Sequence, residues 1–253
     1  SESNNLAIKG LSAGLAAKGK HIIISVIEHF SVLQTAASLE KEGYQITQIP
    51  VNKYGLVDPE EVKKAIRKDT ILVSIQMANG EVGTIEPLTE ISRITRELGV
   101  VFHTDAVAAV GNMPVNVAEL GIDALSLAGN MFFGPKGSAA LWFRKGLRLI
   151  PQTIGGVQES GRRAGTENVP AIVGLGKAAQ LAQQRMPQRV EKVTPLRDRL
   201  IKVLPEVIEH IVVTGHPQNR LPGHASFCVE FIEGESMLML LNQSGIQVSS
   251  GSS

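Results

Sequence analysis

An open, mostly parallel β-sheet flanked by helices, an α/β fold, is what this sequence predicts, on three observations. Short runs rich in β-branched residues alternate with helical patterns, as in a chain wound strand, helix, strand. Several of those runs are apolar at successive positions, as strands covered on both faces should be. Capping residues and glycines mark the change from one pattern to the next.

Taken in order, the strands are expected at 21–27, 44–51, 70–76, 100–104, 124–127 and 138–143. Between the second and third, Val57-Asp58-Pro59-Glu60-Glu61 opens a helix. An aspartate cap, proline in the first turn and acids at the positive end of the helix dipole all favour a start there, and the pattern runs to about Lys68. A second helix, 88–98, stops at Gly99, a residue free to take positive φ. After Gly165-Thr-Glu-Asn168 a helical pattern covers 170–186, and Pro187 is expected to interrupt it. An amphipathic run at 190–210 then leads to strands 210–214 and 226–231, a helix 235–243 and a last strand 246–249. This order divides the chain into a large unit, 1–187, and a smaller α+β unit, 188–253, expected to be incomplete because little follows its last strand.

With 253 residues and 43% hydrophobic content the chain can bury a full core. Lys plus Arg total 25 against 24 Asp plus Glu, so no basic block exists to track a phosphate backbone and nucleic acid is not an expected partner. The one cysteine, Cys228, cannot form an internal disulfide and agrees with a reducing compartment. No apolar run reaches membrane-spanning length, and Ser1-Glu-Ser-Asn-Asn5 lacks signal-peptide character. No membrane contact and a cytoplasmic location are therefore expected.

Two residues stand where open α/β sheets keep their ligands, just past the C-terminal ends of buried strands. Asp105 follows the run 100–104 and reads equally well as a helix N-cap or as a ligand-binding acid. His29 follows the run ending at Ile27; it is either structural or a ring able to stack on a flat ligand and handle protons near neutral pH.

Beyond these, Ser1-Glu-Ser-Asn-Asn-Leu-Ala-Ile-Lys-Gly10, Glu28-His29, Ala78-Asn-Gly-Glu-Val-Gly-Thr84, His103-Thr-Asp105-Ala, Phe133-Gly-Pro-Lys-Gly137, Gly155-Gly-Val-Gln-Glu159, Arg163-Ala-Gly-Thr-Glu-Asn-Val-Pro170 and Glu233-Gly-Glu-Ser236 follow one another along the chain. In this order and spacing the chain resembles the cysteine desulfurases that feed iron–sulfur cluster assembly, class V aminotransferases among the fold-type I enzymes of pyridoxal phosphate (PLP). The resemblance implies the fold-type I large domain, PLP as cofactor, a homodimer, and an iron–sulfur scaffold or sulfur-acceptor protein as further partner.

Carried over by position, the resemblance makes His29 the ring-stacking histidine and Asp105 the partner of the pyridine nitrogen. Ser1 matches a phosphate-binding threonine at a helix N-terminus, and Thr166 one that reaches across a dimer interface. Five positions depart from the pattern. Gly80 and Ala108 replace an asparagine and a glutamine that contact the ring hydroxyl, and Ala128 replaces a phosphate-binding serine. Asn130 replaces the histidine before the cofactor lysine, keeping an amide able to contact phosphate, and Met131 replaces the lysine itself. A thioether cannot form the imine that holds PLP. Lys136, in the same loop, matches a separate family lysine. The family's sulfur-carrying cysteine follows Ser-Gly-Ser, whereas here Ser250-Gly-Ser252 is followed by Ser253; Cys228, inside a strand-like run, is expected to be a small buried hydrophobe. The resemblance thus implies a desulfurase-like chain impaired in catalysis, acting as scaffold, partner or weak PLP binder. The alternatives are an enzyme that binds PLP non-covalently and is completed by a second chain, and a fragment without activity of its own.

Overall fold

A computed structural model describes residues 1–251. Its helices are α1 (Glu2–Leu15), α2 (Phe30–Glu40), α3 (Pro59–Ala65), α4 (Leu88–Glu97), α5 (Val117–Leu120), α6 (Gln158–Gly161), α7 (Val169–Val207) and α8 (Gly234–Gln243). The strands are β1 (His21–Ser25), β2 (Gln45–Ile49), β3 (Thr70–Ser74), β4 (Val101–Asp105), β5 (Ala124–Ala128), β6 (Ala139–Phe143), β7 (Ile211–Val213) and β8 (Phe227–Val229). Six strands form one sheet in the order β2-β1-β3-β4-β5-β6. All neighbours are parallel except β5 and β6, which are antiparallel. Helices cover both faces, so the expected α/β architecture is present.

The apolar runs behave as strands buried on both sides. Along β1, Ile22 and Ile24 enter one core cluster and Ile23 the other, because successive side chains of a strand point to opposite faces. Phe102 on β4 is fully buried in the cluster that also holds Leu88 and Ile91 of α4. On the opposite face α1 supplies Ile8 and Leu11, and it carries small residues where other chain crosses it. Ile150 N–H donates to Gly10 O at 3.0 Å, and a Cβ on Gly10 or Gly14 would strike the backbone of Ile150 or Arg148. Helix starts follow the sequence signals: Asp58 accepts from Glu60 N–H at the head of α3, and Gly99, at φ +70°, follows α4.

Three expectations are corrected. Pro187 does not interrupt its helix, since α7 runs from Val169 to Val207 with Pro187, Pro195 and Pro205 inside it. A proline removes one N–H and crowds one carbonyl, and ties beyond it hold the helix in place: Arg189 donates to Asn112 Oδ1 at 2.5 Å and to Gly111 O. Residues 246–249 do not form a strand; the small sheet is the antiparallel pair β7-β8, and 246–249 have no partner strand beside them among the described residues. Cys228 is in β8 as expected but is exposed, because it lies opposite Val212 on an uncovered face of that two-stranded sheet. Of the terminal segment, Ser252 and Ser253 lie outside the described residues.

Candidate functional site

Parallel strands bring their C-terminal ends to one edge of the sheet. His29 follows β1, Gly80 follows β3, Asp105 ends β4, and Asn130 and Met131 follow β5, on strands that are neighbours in the order β1-β3-β4-β5. Five of the sequence positions singled out above are thus gathered at the edge where such sheets bind ligands. Ser1 joins them through α1, whose N-cap it is; its side chain makes no capping hydrogen bond.

One residue that sequence reasoning passed over ties the group together. Asn4, in the first turn of α1 and 1% exposed, donates one amide hydrogen to Asp105 Oδ2 at 2.6 Å and the other to Ser31 Oγ at 2.8 Å. Ser31 Oγ lies 2.7 Å from His29 Nδ1, which also accepts Ser31 N–H at 3.0 Å. With Nδ1 accepting, Ser31 O–H donates to it and the ring proton sits on Nε2. Asp105 Oδ1 accepts Val107 N–H at 2.9 Å. The acid therefore caps the turn after β4, one of its two expected roles, and Asn4 fixes its other oxygen at the sheet edge. His29 is likewise the N-cap of α2 and remains exposed. The signal for Asn4 lay in the Ser-Asn-Asn at the chain start: two amides in the first turn of a helix that must be buried at position 4.

Beneath this layer lie two buried acids. Glu28 Oε1 accepts from Ser25 Oγ at 2.6 Å and from Gln76 N–H at 2.9 Å, while Oε2 has no partner. Burial pushes its carboxyl up to about 8, with further raising by Asp105 and Glu86. Glu86 Oε2 accepts Val57 N–H at 2.9 Å; its burial raises it to about 7. In the middle of the sheet His103 bridges Ser74 Oγ and Ser126 Oγ at 2.8 and 2.9 Å, and burial pushes it down to about 3. His103 is thus a neutral structural group.

The turn after β5 is a 3-10 helix, Gly129–Phe132, closed by Phe133 at φ +66°. Gly129 is held close by the neighbouring chain, where a Cβ would collide with Ser138 Oγ and Leu175 of α7. Asn130 and Met131 project from this turn exposed. Lys136 is also exposed, in the following turn; that turn leans on α7, with Pro135 against Gly174 and Gly134 against Ala178. Thr166 is exposed in the segment before α7, which is anchored by Arg163 to Glu2 at 2.9 Å and by Gly165 N–H to Gln158 at 3.1 Å. Among the described residues it makes no hydrogen bond to the other four candidates. A cavity of about 390 Å³ lies near it, between the first turn of α1, β6 and the start of α7, lined in part by Arg162, Arg163 and Asn168. This space does not include His29, Asp105 or Met131.

The donor set fits one part of PLP and not another. Asp105 offers a carboxylate that could pair with a protonated ring nitrogen, His29 a ring that could stack on a flat ligand, and Ser1 and Asn130 polar side chains that could contact phosphate. The Oδ1 of Asn4 is buried and has no hydrogen-bond partner. No amine stands at position 131, and Gly80, Ala108 and Ala128 carry no donor. A Cβ on Gly80 would meet nothing within 4 Å, so the space for a larger side chain is there and unused. None of these side chains carries an amine able to form an imine with an aldehyde cofactor.

Comparison with known proteins gives the same family as the motifs. Residues 1–253 match the class-V aminotransferase family. The chain is 51% identical over 251 residues to the cysteine desulfurase IscS of Dictyoglomus turgidum, covering 99% of this chain and 64% of that protein. It is 52% identical to the IscS of Methanosarcina thermophila, covering 62% of it. Among solved structures, a NifS-like protein superposes with a TM-score of 0.93 at 34% identity, over 98% of this chain and 68% of that one. DndA from Streptomyces lividans superposes with a TM-score of 0.86 at 32% identity, over 96% and 69%. This chain therefore spans somewhat less than two thirds of the length of the curated relatives it matches. The chain belongs to the class-V aminotransferase family, in its branch of IscS- and NifS-like cysteine desulfurases.

Proposed function

We propose that this chain is a cysteine desulfurase-like protein of sulfur mobilisation and iron–sulfur cluster assembly that does not release sulfur from cysteine by itself. It acts as a scaffold or partner subunit with a weak, non-covalent hold on PLP. The observation that carries this reading is Met131, exposed on the turn after β5 at the lysine position. A thioether has no N–H to condense with an aldehyde, and no proton to move at the substrate carbon. Gly80, Ala108 and Ala128 support it, because each lacks a donor that the family places there. With about 0.5–1.5 kcal/mol for each missing hydrogen bond, three of them weaken cofactor retention by several kcal/mol in addition to the missing covalent link.

In this reading the chain works in the cytoplasm as a homodimer and meets an iron–sulfur scaffold or a sulfur-acceptor protein. Support for pairing comes from Ile154 and Val157, exposed by 88% and 85% close in sequence to the Thr166 segment; Thr166 would reach phosphate only in a neighbouring subunit's site. The second reading, an enzyme completed by another chain, is favoured by the preserved unit of Asn4, Asp105, Ser31 and His29. The proposal is tested by assaying cysteine-dependent sulfide release with added PLP. No release is expected from this chain alone, whereas release at the rate of a desulfurase overturns the proposal.

A further inference from the structure

We infer that the site, in holding a vitamin B6 phosphate, is indifferent to the group at C4′, so that pyridoxine 5′-phosphate binds as well as the pyridoxal form. The inference rests on the reading above that the chain holds the ring non-covalently, and deepens it by naming what the site selects.

The argument starts from what is rigid. Asn4 is buried in the first turn of α1, and its two amide hydrogens are committed to Asp105 Oδ2 and Ser31 Oγ at 2.6 and 2.8 Å. Its side chain therefore sets the distance between the carboxylate that would meet the ring nitrogen and the serine that orients His29. Its own Oδ1 is buried without a partner, an arrangement that costs stability. Asn4 is thus a positioning residue for the pair that reads the ring.

At the other end of the ring nothing reads the aldehyde. Imine formation makes one C–N bond to C4′ and expels one water, and the nitrogen must come from an unprotonated amine. The turn Gly129–Phe132 offers Met131 there, and Lys136 belongs to the turn seated on α7. An aldehyde and a primary alcohol at C4′ would meet the same thioether. Selectivity for the aldehyde, which a lysine provides through a covalent bond, has no source in this site.

The test is direct titration of the chain with pyridoxine 5′-phosphate and, separately, pyridoxal 5′-phosphate, followed by calorimetry. The expected dissociation constants agree within about threefold, and Asn4→Ala weakens both by about tenfold, as loss of one charge-assisted hydrogen bond would. The ultraviolet band of bound pyridoxine 5′-phosphate, which reports protonation of the ring nitrogen, should shift in Asn4→Ala. A change in folding alone would not produce that shift. Should Asn4→Ala fail to fold, Ser31→Ala removes the hydroxyl that joins Asn4 to His29 Nδ1 and should weaken both ligands equally. Met131→Lys should tighten the pyridoxal form selectively. A pyridoxal phosphate preference above about tenfold in the unaltered chain overturns the inference while leaving ring binding intact. Failure of both ligands to bind overturns the reading on which it rests.

Discussion

Asn4 and Met131 show how differently two residues of one site can be read. Met131 was legible in the sequence because a motif surrounds it and one missing amine is a chemical statement. Asn4 was not, because its role depends on α1 being folded against the ends of β1 and β4, more than 100 residues apart in the case of Asp105. His29 and Asp105 were legible as positions after strands, yet the structure adds that each is also a cap. Glu28 was visible only as part of a motif; its burial, with Oε2 unpartnered, makes it a titrating group. The folded-state value of about 8 lies above the ordinary glutamate range, and Glu86 at about 7 follows the same direction. Folded protein thus holds these protons while unfolded chain releases them near 4.5. Their contribution to stability is complete below that value and is lost as pH rises through the folded values. The histidines held low by burial, His21 and His103, act on the acid side, where stability falls as pH drops below 6.5. Between pH 6.5 and 8.5, urea unfolding should therefore show declining stability in the unaltered chain. Glu28→Gln with Glu86→Gln should flatten that decline; an unchanged slope would mean that the two acids are already ionised in the folded state.

At the scale of elements, the central strands were legible because their burial on both faces writes apolar residues at successive positions, as in β1 and β3. The helices α3 and α4 were legible from their punctuation, Asp58, Pro59 and Gly99. No range was assigned to α1 from sequence, because its buried face contains Ser3, Asn4, Gly10 and Ser12 beside its apolar residues. Close packing on 148–150 requires small residues there, and that erases the usual periodic signal. The break expected at Pro187 was absent because contacts from Arg189 outweigh one lost backbone hydrogen bond. The division into units 1–187 and 188–253 is retained as a proposal, although α7 passes through it without interruption. Proline within a helix costs about 3 kcal/mol relative to alanine. Pro187→Ala should accordingly raise stability by about 1–3 kcal/mol in denaturant unfolding; a loss would show that the proline-adapted course of α7 is what docks Arg189.

For the whole molecule, the mostly parallel sheet flanked by helices and the family were contained in the order of motifs along the chain, whereas the strand order came from the structure. What they left open is assembly and activity. The exposed Ile154 and Val157 predict self-association in sedimentation runs, and Ile154→Asp with Val157→Asp should shift the chain to monomer. Monomer at every concentration before substitution would remove the dimer from the account. The central claim is that a desulfurase fold has kept the means to read a ring while lacking the group that bonds to the cofactor. Its most direct test is to mix the chain with PLP, reduce with borohydride and map any pyridoxyl group by mass spectrometry. The account predicts no label on the unaltered chain and a label at position 131 in Met131→Lys with Asn130→His. A stoichiometric label on the unaltered chain, at Lys136 or any other lysine, would contradict it.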